Sequence, residues 1–400
     1  MINRRTLLKS LAALPVTLTA ASAAGNLWAA PASKTRLLFV FMRGGYDATN
    51  LLVPISSQYY YQVRPNIAIA RPGTDLNSAL PIDADWGLHP ALRDTVYPLF
   101  TAGQAAFVPF AGTEDLSRSH FETQDSIELG QSLNRTRDYR SGFLNRLAAT
   151  LSADRASVIS FTDQLPLVMQ GAVQVPNTAL RSIGKAAVDP RQARMIAAMY
   201  DGTALSQQVR DGFDVRAEVM KEMIGEMDAA NRNAVTAKGF ELEARRIAKL
   251  MRDKYNIGFV DVGGWDTHVG QGGATGYLAS RLDELGRGLA GFAQEMGPDW
   301  RDTVVVVVSE FGRTFRENGN RGTDHGHGSV YWVLGGGVQG GKVRGEQLRL
   351  EQSTLFQNRD YPVLNEYRAM FGGLLARMYD LNAGQVEKIF GTPGLDIGLV

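Results

Sequence analysis

Two runs of the chain, Thr35-Arg-Leu-Leu-Phe-Val-Phe41 and Thr303-Val-Val-Val-Val-Val308, are apolar without alternation. A strand with one wet face alternates apolar and polar side chains, so unbroken runs predict strands covered on both faces, the pattern of a parallel sheet. Ala105–Phe110, Ser157–Phe161, Asn256–Asp261 and Tyr331–Leu334 read as further strands. Between them the period changes. Tyr277 to Met296 places Leu278, Leu282, Leu285, Leu289 and Phe292 on one helical stripe. From about 190 to 254, apolar residues three and four apart (Met195, Met199; Val219, Met223, Met227) predict an inserted or flanking helical layer. Strands alternating with helices predict an α/β fold, its sheet mostly parallel and helices on both faces.

The N-terminus reads differently. Asn3-Arg4-Arg5-Thr6-Leu7-Leu8-Lys9 resembles a twin-arginine signal, followed by an apolar stretch from Leu11 to Ala24 and small residues around Ala30-Pro31-Ala32. Residues 1–32 are therefore expected to be a signal peptide and 33–400 a single domain, exported by the twin-arginine machinery to the periplasm or beyond. That route carries folded cargo, which suits a protein that takes up a metal before export. A retained N-terminal anchor is the alternative. The apolar stretch is short for a span, and no later segment reaches about 20 uncharged apolar residues, so no stable membrane span is expected.

Removing Arg4, Arg5 and Lys9 from the 42 basic groups leaves 39 against 41 acidic ones, a near-neutral balance that gives no electrostatic reason to expect nucleic-acid binding. An apolar content of 44% supports a sizeable core. The chain has no cysteine, which excludes disulfides and thiolate ligands and restricts any metal to oxygen and nitrogen donors.

Polar residues gather where the predicted strands end, the edge at which open α/β sheets bind ligands. Gly263-Gly264-Trp265-Asp266-Thr267-His268 follows one strand, and in extended backbone Asp266 and His268 project to the same side, able to grip one cation. His325 and His327 repeat the spacing, with Gly326 between them allowing close approach. Imidazole with carboxylate suits zinc, manganese or iron better than calcium. The competing reading is of solvated or hydrogen-bonded loop histidines. Glu310 is a ligand, a general base, or the partner of Arg313. Asp47, after the Gly44-Gly45 turn whose N–H groups suit an anion, is a ligand or an Asx-turn residue. Ser119 with Glu122 forms a capping-box pattern, yet a hydroxyl at a helix start beside Arg118 also suits a nucleophile facing an anion. Either Ser119 or His120 would then point into the site. His89 reads as a packed or capping histidine. No Gly-x-Ser-x-Gly elbow is present, which disfavours a serine hydrolase of that type.

Taken together, Arg43-Gly-Gly-Tyr-Asp47, Leu88-His-Pro-Ala-Leu92, Arg118-Ser-His-Phe121, Gly264-Trp-Asp-Thr-His268, Ser309-Glu-Phe-Gly-Arg-Thr314, Glu317-Asn-Gly319, Gly322-Thr-Asp-His-Gly-His327 and Gly335-Gly-Gly-Val338 resemble a bacterial secreted family known as domain of unknown function 1501. The resemblance covers nearly the whole mature chain. It implies the alkaline phosphatase and sulfatase-like fold, a three-layer α/β/α sandwich whose members are mostly metal-dependent hydrolases or transferases of phosphate and sulfate esters. Asp47, Ser119, Asp266, His268 and His327 fall in the order of that group's ligands and nucleophile. The departure is Glu310-Phe311, where an Asp-His pair is expected. Phenylalanine cannot ligate, which leaves open one metal, an altered site, or a degenerate protein.

The expectation is an exported metal-dependent hydrolase-like protein acting on phosphate or sulfate esters. One divalent ion, zinc or manganese, would be held by some of Asp47, Asp266, His268, Glu310, His325 and His327. Ser119 or a metal-bound water would attack, with Glu310 as a second catalytic group. Arg43, Arg118, His120 and Arg313 would bind the anion through charge-assisted hydrogen bonds. Ligands would be small anionic esters or an envelope glycan. The alternative is a non-catalytic envelope protein that binds a glycan, a peptide or a protein partner.

Overall fold

In the computed structural model, which describes residues 34–134, 136–152, 155–180, 190–214 and 239–400, the two apolar runs lie side by side. They form β1 (Arg36–Met42) and β5 (Thr303–Ser309), paired in parallel with Phe39 opposite Val306. The other strands of the sheet are β2 (Ala105–Gly112), β3 (Val158–Ser160), β4 (Ile257–Val262), β6 (Ser329–Leu334), β7 (Lys342–Val343) and β8 (Asn365–Glu366). Their order is β7-β2-β6-β5-β1-β4-β3, with β8 also on β2. Among the described residues β6 alone runs against the rest, antiparallel to both β5 and β2.

Side chains alternate across each strand and so feed two separate cores. Leu38, Val40 and Met42 of β1, with Val305 and Val307 of β5, pack against α4 (Phe240–Asp253) and α5 (Tyr277–Met296). Leu37, Phe39 and Phe41, with Val304, Val306 and Val308, face α2 (Phe143–Leu151), α6 (Tyr367–Tyr379) and α7 (Ala383–Phe390). This is the three-layer α/β/α architecture. Each fully buried Val, Leu or Phe contributes about 1.5–3 kcal/mol by leaving water, so the unbroken runs are stable only between two helical layers. α5 has the bounds its leucine stripe predicts, and Leu278, Leu282, Leu285, Leu289 and Phe292 are all buried. It ends at Gly297, whose positive φ of +55° glycine adopts without strain.

The antiparallel β6 departs from the simple alternation of strand and helix. The 310–328 segment carries no helix, and without a crossover the chain can return only antiparallel. That reversal keeps both ends of the segment at the carboxyl edge of β5. Of the expected helical region, the described residues form α3 (Pro190–Met199) and α4, while residues 215–238 lie outside the described residues, as does the expected 1–32 signal. Among the described residues no helix is long and apolar enough to cross a membrane.

His89 shows how tightly the segment beside this edge is held. Its Nδ1 accepts the N–H of Ala91 at 3.1 Å, capping the Pro90–Leu92 turn, and its Nε2 lies 3.1 Å from the carbonyl oxygen of Gly273 and therefore carries the proton. Complete burial pushes its pKa down to about 4, because the charged ring cannot be solvated. An unfolded histidine titrates near 6.5. Between about pH 6.5 and 4 the unfolded chain binds a proton that the folded one refuses, so stability is full above that window and falls as the pH falls through it. The variant His89→Asn keeps a capping acceptor but cannot titrate. It is expected to flatten the pH dependence of the unfolding free energy by up to about 1.4 kcal/mol per pH unit in that window, measured by denaturant unfolding at several pH values.

Candidate metal centre at the carboxyl edge of the sheet

Four polar segments open at the same edge: the turn after β1, the loop after β4, the 310–328 segment, and the approach from β2 to α1 (His120–Leu129). Two glycines permit their close contact. Gly44 has φ +127°, and a Cβ there would lie 2.7 Å from the backbone nitrogen of Asp266. A Cβ on Gly326 would lie 2.5 Å from the carbonyl carbon of Arg313, so glycine is required where the 310–328 segment folds back on itself.

At their meeting point stand Asp266, His120, His268 and His325. Asp266 Oδ1 lies 2.9 Å from His268 Nε2 and 3.5 Å from His325 Nε2, and its Oδ2 lies 3.6 Å from His120 Nε2. One potential ligand atom from each of His120, Asp266 and His325 falls within 4.8 Å of the others. The far nitrogen of each ring is tied down. His120 Nδ1 meets Glu310 Oε1 at 2.8 Å, His268 Nδ1 meets Asp324 Oδ1 at 3.2 Å, and His325 Nδ1 meets the carbonyl oxygen of Arg118 at 3.0 Å. Burial would raise the pKa of Glu310, but hydrogen bonds from His120, Gln124 and the Gly44 N–H outweigh it and hold the carboxyl below the usual range. Asp324 is likewise lowered against its partial burial by Asn318 and His268. Both are thus ionised acceptors, and a backbone carbonyl is always an acceptor, so each Nδ1 carries a hydrogen and the Nε2 of a neutral ring presents a lone pair.

Those lone pairs are poorly served within the protein. His120 Nε2 is buried and has no hydrogen-bond partner among the described residues. His268 Nε2 and His325 Nε2 face each other at 3.1 Å. Two acceptors at that separation repel unless a proton or a cation lies between them. Burial, with the neighbouring His120, lowers the pKa of His325 below the usual histidine value. Burial would raise the pKa of Asp266, but the hydrogen bond and charge of Arg313 hold it below the usual range. The donor set and its orphaned nitrogen fit a divalent cation with nitrogen and oxygen ligands.

Other expected site residues stand elsewhere. Asp47 is not brought to this cluster: its fully buried carboxylate is gripped through both oxygens by the equally buried Arg64, with Oδ1 to Nη2 at 3.0 Å, and Gln271 donates to it as well. Nor is His327, whose ring packs on Phe356 and whose pKa burial and Arg118 lower to about 4. Glu310 is fully buried behind His120 and is not the partner of Arg313, which pairs with Asp266 instead.

The arginines expected to bind an anion are committed to the protein. Arg43 bonds Asp261 at 2.7 Å and Glu128 at 2.9 Å. Arg118 bonds Asp360 at 2.6 Å and Gln357 at 2.8 Å. Arg313 donates to Gly44 O, Gly45 O, Trp265 O, Thr323 O, Asp266 and His268, which occupies its whole guanidinium. The Gly44 N–H, expected to face an anion, donates to Glu310 at 2.8 Å. Ser119 stands at the N-cap of α1, yet its hydroxyl makes no capping bond, so the capping box does not form. Sequence reasoning missed Arg64, Gln124 and Asp324. Asp324 was within reach because it adjoins His325, whereas nothing local marks Arg64 as the partner of Asp47.

A family model described as "Protein of unknown function (DUF1501)" matches residues 34–390. The chain belongs to this family. No curated protein matches it. Among solved structures it is similar to Ps i-CgsB in complex with k-i-k-neocarrahexaose, with 8% identity and a TM-score of 0.39 over 92% of this chain and 76% of that one. It is also similar to a protein in the alkaline phosphatase superfamily from Vibrio parahaemolyticus, with 9% identity and a TM-score of 0.37 over 91% and 71%. Likeness at these scores establishes no activity; the α/β/α architecture rests on the strand register itself.

The Asp47–Arg64 pair generates a test of its structural role. Arg64→Leu leaves a carboxylate buried and uncompensated and is expected to destabilise the fold by about 3–5 kcal/mol in denaturant unfolding. The double variant Asp47→Asn with Arg64→Leu removes both charges and is expected to recover much of that loss.

Proposed function

We propose that the protein is an exported metal-dependent hydrolase that acts on phosphate or sulfate esters. The observation that carries this reading is the convergence of three imidazole lone pairs on the Asp266 carboxylate, each ring anchored from behind. His120, Asp266, His268 and His325 would hold the cation, of the zinc or manganese class that such a donor set suits. Charge points the same way, since Asp266, Glu310 and Asp324, all held ionised, lie against the imidazoles, and of the three carboxylates Arg313 pairs with Asp266 alone. When bound, a divalent ion polarises an ester oxygen and lowers the pKa of a coordinated water to about 7.

The chain's own groups do the rest. Ser119 precedes His120 directly, its hydroxyl is not used in capping α1, and the helix start favours negative charge. It is the candidate nucleophile. Arg118 before it holds φ +53°, a strained conformation for a non-glycine residue that aims the turn while its carbonyl orients His325. His268 and Asp266 remain partly open to solvent, with side chains 40% and 47% exposed, which leaves a way in for the ester. Export by the twin-arginine route is supported by Arg4, Arg5 and the apolar stretch that follows.

One observation favours a second reading. Arg43, Arg118 and Arg313 are all paired within the protein, so no arginine of the expected set stands ready for a substrate anion. A non-catalytic envelope protein that binds a glycan, a peptide or a protein partner at the same centre would need none.

Metal analysis and turnover distinguish the two. The purified protein is expected to contain near-stoichiometric divalent metal, lost in the double variant His120→Ala, His325→Ala. Across a panel of phosphate and sulfate esters supplied with zinc or manganese, Ser119→Ala is expected to lower turnover by on the order of 100-fold or more while keeping its metal. Metal uptake without turnover of any ester would favour the binding protein, and metal-free protein of normal stability would refute the centre itself.

A further inference from the structure

The Glu310-Phe311 pair, where the resemblance leads one to expect two ligands, has a different task. Glu310 sits at the end of β5 with no exposed surface, and its Oε1 receives the Gly44 N–H at 2.8 Å, the Gln124 side chain at 2.9 Å and His120 Nδ1 at 2.8 Å. Ser309 Oγ lies 2.9 Å from its other oxygen. It is a carboxylate fixed by three elements and directed at the back of one imidazole. The Phe311 ring fills the neighbouring space, with its centroid 4.9 Å from that of His120 and 5.0 Å from that of His325. Gly45 makes room for it, since a Cβ there would lie 2.3 Å from the phenyl edge. The ring of His120 is thereby held in its tautomer by one residue and in its plane by the next.

We propose that Glu310 and Phe311 are the positioning residues of His120. The carboxylate holds the hydrogen on Nδ1 and raises the basicity of Nε2, and the phenyl ring holds His120 and His325 at the mutual angle their convergence on Asp266 requires. An imidazole backed by a carboxylate binds a cation more tightly than one left free to rotate or change tautomer, and loss of such a backing group typically weakens metal affinity about 10–100-fold. The inference rests on the metal reading above. It also explains why a phenylalanine that cannot ligate stands at the heart of the centre.

The test is metal affinity of the full chain, by titration of metal-free protein with Co(II) and with Zn(II) against a competing chelator. Glu310→Gln is expected to bind about 10–100-fold more weakly than wild type and to change the visible spectrum of the Co(II) form, with thermal unfolding of the metal-free protein nearly unchanged. Phe311→Leu keeps an apolar side chain but loses the flat ring, and is expected to weaken binding as well. A Glu310→Gln protein with wild-type affinity and spectrum would overturn the role of Glu310, and the same result for Phe311→Leu would overturn that of the ring. Nitrogen-15 spectra of the histidine rings in metal-free wild type need no variant: His120 protonated on Nδ1 supports the proposal, and protonation on Nε2 overturns it. Wild type that takes up neither metal would instead bring down the metal reading on which the inference stands.

Discussion

One buried guanidinium ties the site together. Arg313 reaches from the 310–328 segment to the carbonyls of Gly44 and Gly45 after β1, of Trp265 after β4 and of Thr323 in its own segment, and ends on the carboxylate of Asp266. A charge this deeply buried is tolerable only with its donors filled, so the loops must approach until each carbonyl is in place. The same bonds hold Asp266 ionised among the imidazoles. A residue that invites a substrate-binding reading is the strut on which the geometry of the centre hangs.

The sheet supplies what the strut requires. Because β1 and β5 are buried on both faces, they leave only their ends for polar chemistry, and the parallel direction of β4, β1 and β5 puts Asp266, Gly44 and Glu310 at one edge. The reversal into β6 keeps Asp324 and His325 there too, since a parallel crossover would have carried the chain to the opposite edge first. α1 then presents His120 from the direction of β2. The candidate centre is thus assembled from four distant parts of the chain, and the hydrogen bonds that orient its rings span 56, 190 and 207 residues.

Two aspartates, one fully buried and one half-exposed, show how partners decide a carboxylate's surroundings. Asp47 and Asp266 each follow a strand of the same sheet, and each is paired with a buried arginine. Arg64 takes both oxygens of Asp47 and closes it to any ligand. Arg313 takes one oxygen of Asp266 and leaves the carboxylate half-exposed among imidazoles. One aspartate is scaffold and the other belongs to the candidate centre, although their local sequences look equally inviting.

What the amino-acid order determined by itself was local. Unbroken apolar runs specify strands between two layers, and a leucine stripe at helical spacing specifies α5 to the residue, because burial periodicity is a property of neighbouring positions. The loops holding Asp266, His268, Glu310 and His325 were also legible, since polar residues crowd after such runs. Tertiary structure alone decided that His120 joins them while Asp47 and His327 do not, that Glu310 stands behind a ring, and that each anion-suited arginine already has a partner. Those outcomes depend on which side chains from remote segments arrive within about 3 Å of one another, and no spacing along the chain encodes a distance across it.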